Sequence, residues 1–178
     1  MPLIPPPAKV LLPSHEALGD FVVDLLGTNA AASKAKALKV SNGPGCSRLV
    51  ISVWRDKHER VGAVCVSEFA LAAVAGSALA AVAGSALALS PAWTPGDLGA
   101  GDDLPAPAGD GYRELLNLMT GALNGPGSPH LTLAGSHRHP AEEMPQDVWQ
   151  VLTNPSQRRD FDVTVEGRGS GKISILAR

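Results

Sequence analysis

The sequence predicts a single α+β domain with a mostly antiparallel sheet, and three observations predict it. Two runs rich in Val and Ile, RLVISVW at 48–54 and RVGAVCV at 60–66, are separated by the charged RDKHE, the pattern of an antiparallel hairpin. A second pair, DFDVTVEG at 160–167 and GKISILAR at 171–178, flanks Arg-Gly-Ser and reads as a closing hairpin. The helical patterns stand apart from these hairpins, which argues against a wound parallel sheet.

Residues 1–13 hold five prolines and are expected to form a flexible, extended arm. Ser14 can cap a helix that runs to about Gly27, with Leu18, Phe21, Val22, Leu25 and Leu26 on its apolar face. Residues 28–47 are small and polar, end in a stretch containing SNGPG, and read as a loop. After the first hairpin an Ala-rich helix is expected from about Ser67 to Leu89, containing AAVAGSAL at 72–79 and again at 80–87. Its small residues suit close packing. Residues 90–109 carry four prolines and four glycines, the composition of a flexible insert. A third helix should start near Asp110 and end by Asn124, because GPGSP at 125–129 cannot continue it. HLTLAGS at 130–136 and VWQVLT at 148–153 read as strands. The domain is therefore expected over 14–178.

A chain of 178 residues is long enough for one domain with a real core. With 44% apolar but only 4% aromatic residues, that core must be built from Ala, Val and Leu. A net charge of −2 offers no basic surface for nucleic acid, and Lys34, Lys36 and Lys39 read as a solvated cluster. Cys46 and Cys65 do not make a disulfide framework. The prolines of MPLIPPPAKVLLP occupy the place of a signal peptide's apolar region, so a cytoplasmic protein is expected. Residues Phe69 to Trp93 carry no charge and could span a bilayer. Alanine is only marginally apolar, however, and no Lys/Arg flank or aromatic belt marks the ends, so a buried helix is the better reading. His130, His137 and His139 with Glu142 and Glu143 match no zinc spacing, and SHRHPAEEM at 136–144 reads as a polar loop with no metal. GRGSG at 167–171 lies between strands and reads as a turn. No nucleophile sits in a recognisable catalytic setting.

The third helix poses the functional question. On a helix over 110–124, Leu115, Leu118, Met119, Ala122 and Leu123 would bury along one side, with Leu116 at the margin. Glu114, Asn117 and Gly121 fall at i, i+3 and i+7 and share another side. Asn is a poor choice inside a helix that only has to pack, because it competes for its own backbone. A carboxamide can hold a water by donating and accepting at once, a carboxylate can pair with a lysine, and a glycine gives a partner clearance. Together they can position a water on another protein's site without a nucleophile of their own. Asp110 also has a structural role open to it as the helix cap, and Glu114 as a first-turn charge at the helix dipole.

The spacing Asp110, Glu114, Asn117, with Pro140 twenty-three residues after the Asn, resembles the motif of the CheX/CheC/FliY family of CheY-phosphate phosphatases. RELLNLMTGAL is similar to that family's Glu-x-x-Asn-Met-x-x-Gly run, and VGAVCVSEFALAAVAGS to the strand and helix before it. The order of elements fits from about residue 14 to the end, closest to CheX. The resemblance implies a CheX-like fold with an N-terminal helix and two central helices, and a phosphorylated CheY-like receiver domain as partner. It implies that Glu114 pairs with the receiver's lysine and that Asn117 orients the water attacking the aspartyl phosphate. Asp110, Gly121 and Pro140 would be binding positions. It implies no cofactor of the chain's own, the Mg²⁺ being supplied by the receiver, and a homodimer with one site per chain. A non-catalytic domain of the same fold, binding a signalling or motility partner, is the alternative.

Overall fold

The run LVISVW is apolar at every position but one, so a strand made of it must be covered on both faces. The computed structural model describes residues 9–27, 29–82 and 103–178, and it shows that arrangement. In chain order the elements are α1 (His15–Leu26), β1 (Ala30–Lys34), β2 (Leu49–Arg55), β3 (Val61–Glu68), α2 (Phe69–Val82), α3 (Ala106–Leu123), β4 (Thr132–His139), α4 (Gln146–Thr153), β5 (Gln157–Val165) and β6 (Gly169–Ala177). The strands form one six-stranded sheet in the order β1-β5-β6-β3-β2-β4, and every neighbouring pair is antiparallel. The fold is α+β.

Strand alternation sorts the side chains into two cores. Val50 and Trp54 of β2, Cys65 of β3, Phe161 and Val163 of β5, and Ile173 and Ile175 of β6 face α1, α2 and α3. Leu49, Ile51 and Val53 of β2, Val64 and Val66 of β3, and Leu176 of β6 face the other way, under Val148, Val151 and Leu152 of α4 and Leu38. β5 keeps a polar second face, where Arg158 pairs with Asp160 at 2.8 Å and the Ser174 hydroxyl donates to the same carboxylate.

Several elements differ from the sequence reading. The segment 28–47 contains β1, a short edge strand of small residues and weak β propensity that exists because β5 offers it a ladder. VWQVLT is not a strand but most of α4: Val148, Val151 and Leu152 bury at i, i+3 and i+4, a spacing too short to separate from a strand by periodicity. β4 runs on to His139, so His137 and His139 lie in a strand; the His139 ring is buried and meets the Ser41 carbonyl at 2.8 Å. Residues 10–13 are docked rather than free. Val10 and Leu12 are buried, and Gln157 donates to the Val10 carbonyl and accepts from the Leu12 amide. Residues 1–8, most of the insert at 90–109, the repeat at 80–87 and the end of the Ala-rich helix lie outside the described residues or their side chains. Among the described residues no helix is long and apolar enough to cross a membrane.

The start of α3 is the remaining difference and the one that matters for the site. Pro105, Pro107, Gly109 and Gly111 do not delay the helix to Asp110; it begins at Ala106. Proline is tolerated in a first turn, where the missing N–H has no intrahelical partner to lose. Gly111 serves another end. A Cβ there would lie 2.0 Å from the Gly76 carbonyl oxygen, and a Cβ on Gly76 would lie 1.9 Å from the Ala108 carbonyl oxygen. The backbones of α2 and α3 touch at this point, and only a glycine on each side permits it.

Two glycines of one helix should therefore respond with opposite signs. Gly111→Ala is expected to cost about 3 kcal/mol or more by overpacking. At Gly121, a Cβ would meet nothing within 4 Å, so Gly121→Ala is expected to add up to about 1 kcal/mol. Urea denaturation of both variants checks this; equal effects would show that the helix crossing is looser than described. Thiol accessibility gives a second check on the fold. Cys65 is fully buried, which pushes its thiol up to about 12 against a smaller opposing effect of Tyr112, whereas Cys46 is partly exposed. A thiol reagent at pH 8 should label one cysteine of the native protein and both after unfolding, with Cys46→Ser removing the native signal.

Candidate functional site

Helix α3 buries Ala108, Tyr112, Leu115, Leu116, Met119 and Leu123 against α2 and the sheet. Leu116 is thus core, not margin, and Leu118 is not buried but 41% exposed. The buried stripe is turned toward Leu116 because α3 packs on two sides at once, on α2 through Gly111 and on β2 through Trp54. The Trp54 indole N–H donates to the Thr120 hydroxyl at 2.8 Å, and that hydroxyl donates to the Leu116 carbonyl. The end of the helix is tied as well. The Asn124 amide donates to the Leu131 carbonyl at 2.9 Å and accepts from the Leu131 N–H at 2.7 Å, closing the loop into β4.

With that stripe buried, Asp110, Arg113, Glu114, Asn117, Leu118 and Gly121 face solvent. Asp110 is in the second turn and caps nothing; the cap position is Pro105, with no side-chain capping bond. Glu114 lies beyond the second turn, where the helix dipole no longer accounts for a carboxylate. Asn117 is exposed in mid-helix, so it is not held in reserve as a backbone partner in the core. Glu114, Asn117 and Gly121 share one face, and the space over Gly121 is open. Pro140 is not brought to this face. It follows β4 and lines a separate hollow of about 870 Å³ with His139, Glu142, Met144 and Trp149.

A groove of about 750 Å³ runs between α3 and the edge strand β4. Asp110, Arg113 and Asn117 form its helix wall, and Ser136 and Arg138 belong to its strand wall, over a floor that includes Val50, Leu116 and Leu133. Arg138 is neutralised there by Glu142, to which its Nε donates at 2.9 Å, and by Asp103. The hydrogen bond from Arg138 holds the Glu142 carboxyl below its usual range. Sequence reasoning missed Arg113, although its place four residues before Asn117 put it on the same helix wall. It also missed the strand wall, because nothing local pairs α3 with β4. Among the described residues no group of His, Cys, Asp and Glu is placed to hold a metal ion.

Tyr112 reaches the floor of this region. Its hydroxyl is buried near Ser52, Cys65 and Ser67 without a hydrogen bond of normal geometry, while Ser52 and Ser136 bond each other at 2.8 Å. Burial, and the neighbouring Cys65, push this hydroxyl well above the ordinary tyrosine range. A buried, unsatisfied hydroxyl costs free energy that its removal returns. Tyr112→Phe is therefore expected to leave stability unchanged or raise it by up to about 1 kcal/mol, read as the denaturant midpoint. A loss of more than about 1 kcal/mol would show a hydrogen bond at this hydroxyl.

The fold has known counterparts. The crystal structure of the FliM middle domain from H. pylori aligns with 92% of this chain and 84% of its own, at a TM-score of 0.50 and 10% identity. The crystal structure of Thermotoga maritima FliY aligns with 95% of this chain and 92% of its own at 15% identity, but its TM-score of 0.37 carries no argument. No protein-family model and no curated protein sequence matches the chain. At such identities the likeness concerns the fold alone: the chain has an α+β fold similar to that of the FliM middle domain.

Proposed function

We propose that the chain is a CheX-like phosphatase that hydrolyses the aspartyl phosphate of a CheY-type receiver domain. The observation that carries this reading is the placement of Glu114 and Asn117. Both project into solvent from the body of an 18-residue helix, on a face kept open by Gly121. Neither residue is explained by packing, capping or the helix dipole. In this reading Glu114 pairs with the receiver's lysine and fixes the register. Asn117 then holds a water in line with the phosphorus, donating and accepting through one carboxamide. The receiver supplies its own Mg²⁺, which with the lysine bears the charge of the transferring group, so this chain needs no cofactor. A cytoplasmic homodimer belongs to the same proposal.

Binding of a signalling or motility partner without hydrolysis is the second reading. Pro140 favours it, since it stands in the other hollow and not beside Asn117.

The two readings separate by experiment. Receivers from the same organism, phosphorylated chemically, should lose phosphate faster with the wild-type chain. Asn117→Ala should reduce that acceleration on the order of 100-fold with little change in the receiver concentration giving half the maximal rate. Glu114→Ala should raise that concentration instead. Binding of a receiver with no acceleration by the wild type would establish the second reading.

A further inference from the structure

We infer that Arg113 is a phosphoryl-recognising residue of this site, an inference that rests on the phosphatase reading above. The α3–β4 groove contains two guanidinium groups, and their surroundings differ. Arg138 is committed to Glu142 and Asp103. Arg113 is exposed and takes part in no ion pair with a described residue, although Asp110 lies one turn before it on the same wall. An arginine in this position is expected to find a carboxylate when its task is to lace a surface together. Left uncommitted beside Asn117 in a concave site, it is a receptor for an anion from outside.

The helix geometry says which anion. At about 100° per residue, Arg113 stands about 40° to one side of Asn117 and Glu114 about 60° to the other, each about one turn before it. A partner that places its lysine against Glu114 has its cation on one flank and leaves the other flank to whatever the lysine accompanies. On a phosphorylated receiver that is the acyl phosphate, whose equatorial oxygens carry the negative charge. A guanidinium offers those oxygens two parallel N–H donors, and Asn117 is left to hold the water. The face is thus divided: an acid for the lysine, an amide for the water, and an arginine for the phosphoryl oxygens. In phosphoryl transfer such an arginine acts on charge that grows in the transition state, and it distinguishes a phosphorylated surface from an unphosphorylated one.

The test measures phospho-selectivity together with rate. Binding of one receiver, unmodified and activated with beryllofluoride as the acyl-phosphate mimic, is measured by fluorescence anisotropy for the wild type, Arg113→Ala, Arg113→Lys and Glu114→Ala. The wild type is expected to prefer the activated form. Arg113→Ala should reduce that preference at least tenfold while binding the unmodified receiver as before, and Arg113→Lys should restore part of it. In turnover Arg113→Ala should lower kcat/KM on the order of 10- to 100-fold. Urea midpoints equal to the wild type's exclude misfolding as the cause. An Arg113→Ala protein that keeps both the preference and the rate overturns the inference and leaves the phosphatase reading standing. A wild-type chain that neither binds nor dephosphorylates any receiver overturns both.

Discussion

The backbone contact between Gly76 and Gly111 is the constraint on which the rest of this molecule depends. A methyl group on Gly111 would stand 2.0 Å from the Gly76 carbonyl oxygen, so no other residue fits there without moving a helix. The contact sets the depth at which α3 sits on α2 and on the sheet. Depth and rotation of a helix are coupled, because the side chains that fill the gap decide which arc is buried. With Gly111 against Gly76, the buried arc runs through Tyr112, Leu115, Leu116 and Met119, and the arc opposite it is presented to solvent. Trp54 and Asn124 then hold the C-terminal half of the helix to β2 and to the start of β4. The exposed face of α3 is thus held from behind at three places.

The sheet is built to carry such a helix. β2 and β3 are buried on both faces, so they form a stiff centre covered by α4 on one side and by α2 and α3 on the other. The outer strands are more polar. β1 is short and exposed, and β4 leaves enough room beside α3 for a groove. The groove and the exposed arc meet at Asn117, which belongs to both. Its carboxamide can therefore act on something that rests on the open face and reaches toward the groove.

Polar groups under α3 show where packing yields to other demands. Ser136, Ser52 and Cys65 lie across three neighbouring strands in register, and the Tyr112 hydroxyl lies near Ser52 and Cys65. The serines satisfy each other, and the tyrosine hydroxyl is left over. An apolar seam would pack at lower cost, so burial alone does not explain this strip of the main core.

Periodicity made much of this legible in the sequence. Two hairpins, the first helix, and the grouping of Glu114, Asn117 and Gly121 on one helix face follow from spacings of two and of about 3.6 residues, which the chain itself sets within a few turns. Their exposure on that face did not depend on knowing what covers the other. What only the tertiary structure decided involves residues far apart in the chain. α3 begins at Ala106, before Gly109 and Gly111, and Gly111 has its place inside the helix because its backbone meets Gly76, far earlier in the chain. β1 is a strand because β5 accepts it, and Val10 and Leu12 are core because Gln157 fastens their backbone. Leu116 and Leu118 exchange roles because α3 has two neighbours rather than one. The groove that Arg113 and Asn117 line exists only because β4 lies beside α3. Local spacing determines which side chains share a face; the partners that cover or leave that face are chosen by contacts that no local pattern encodes.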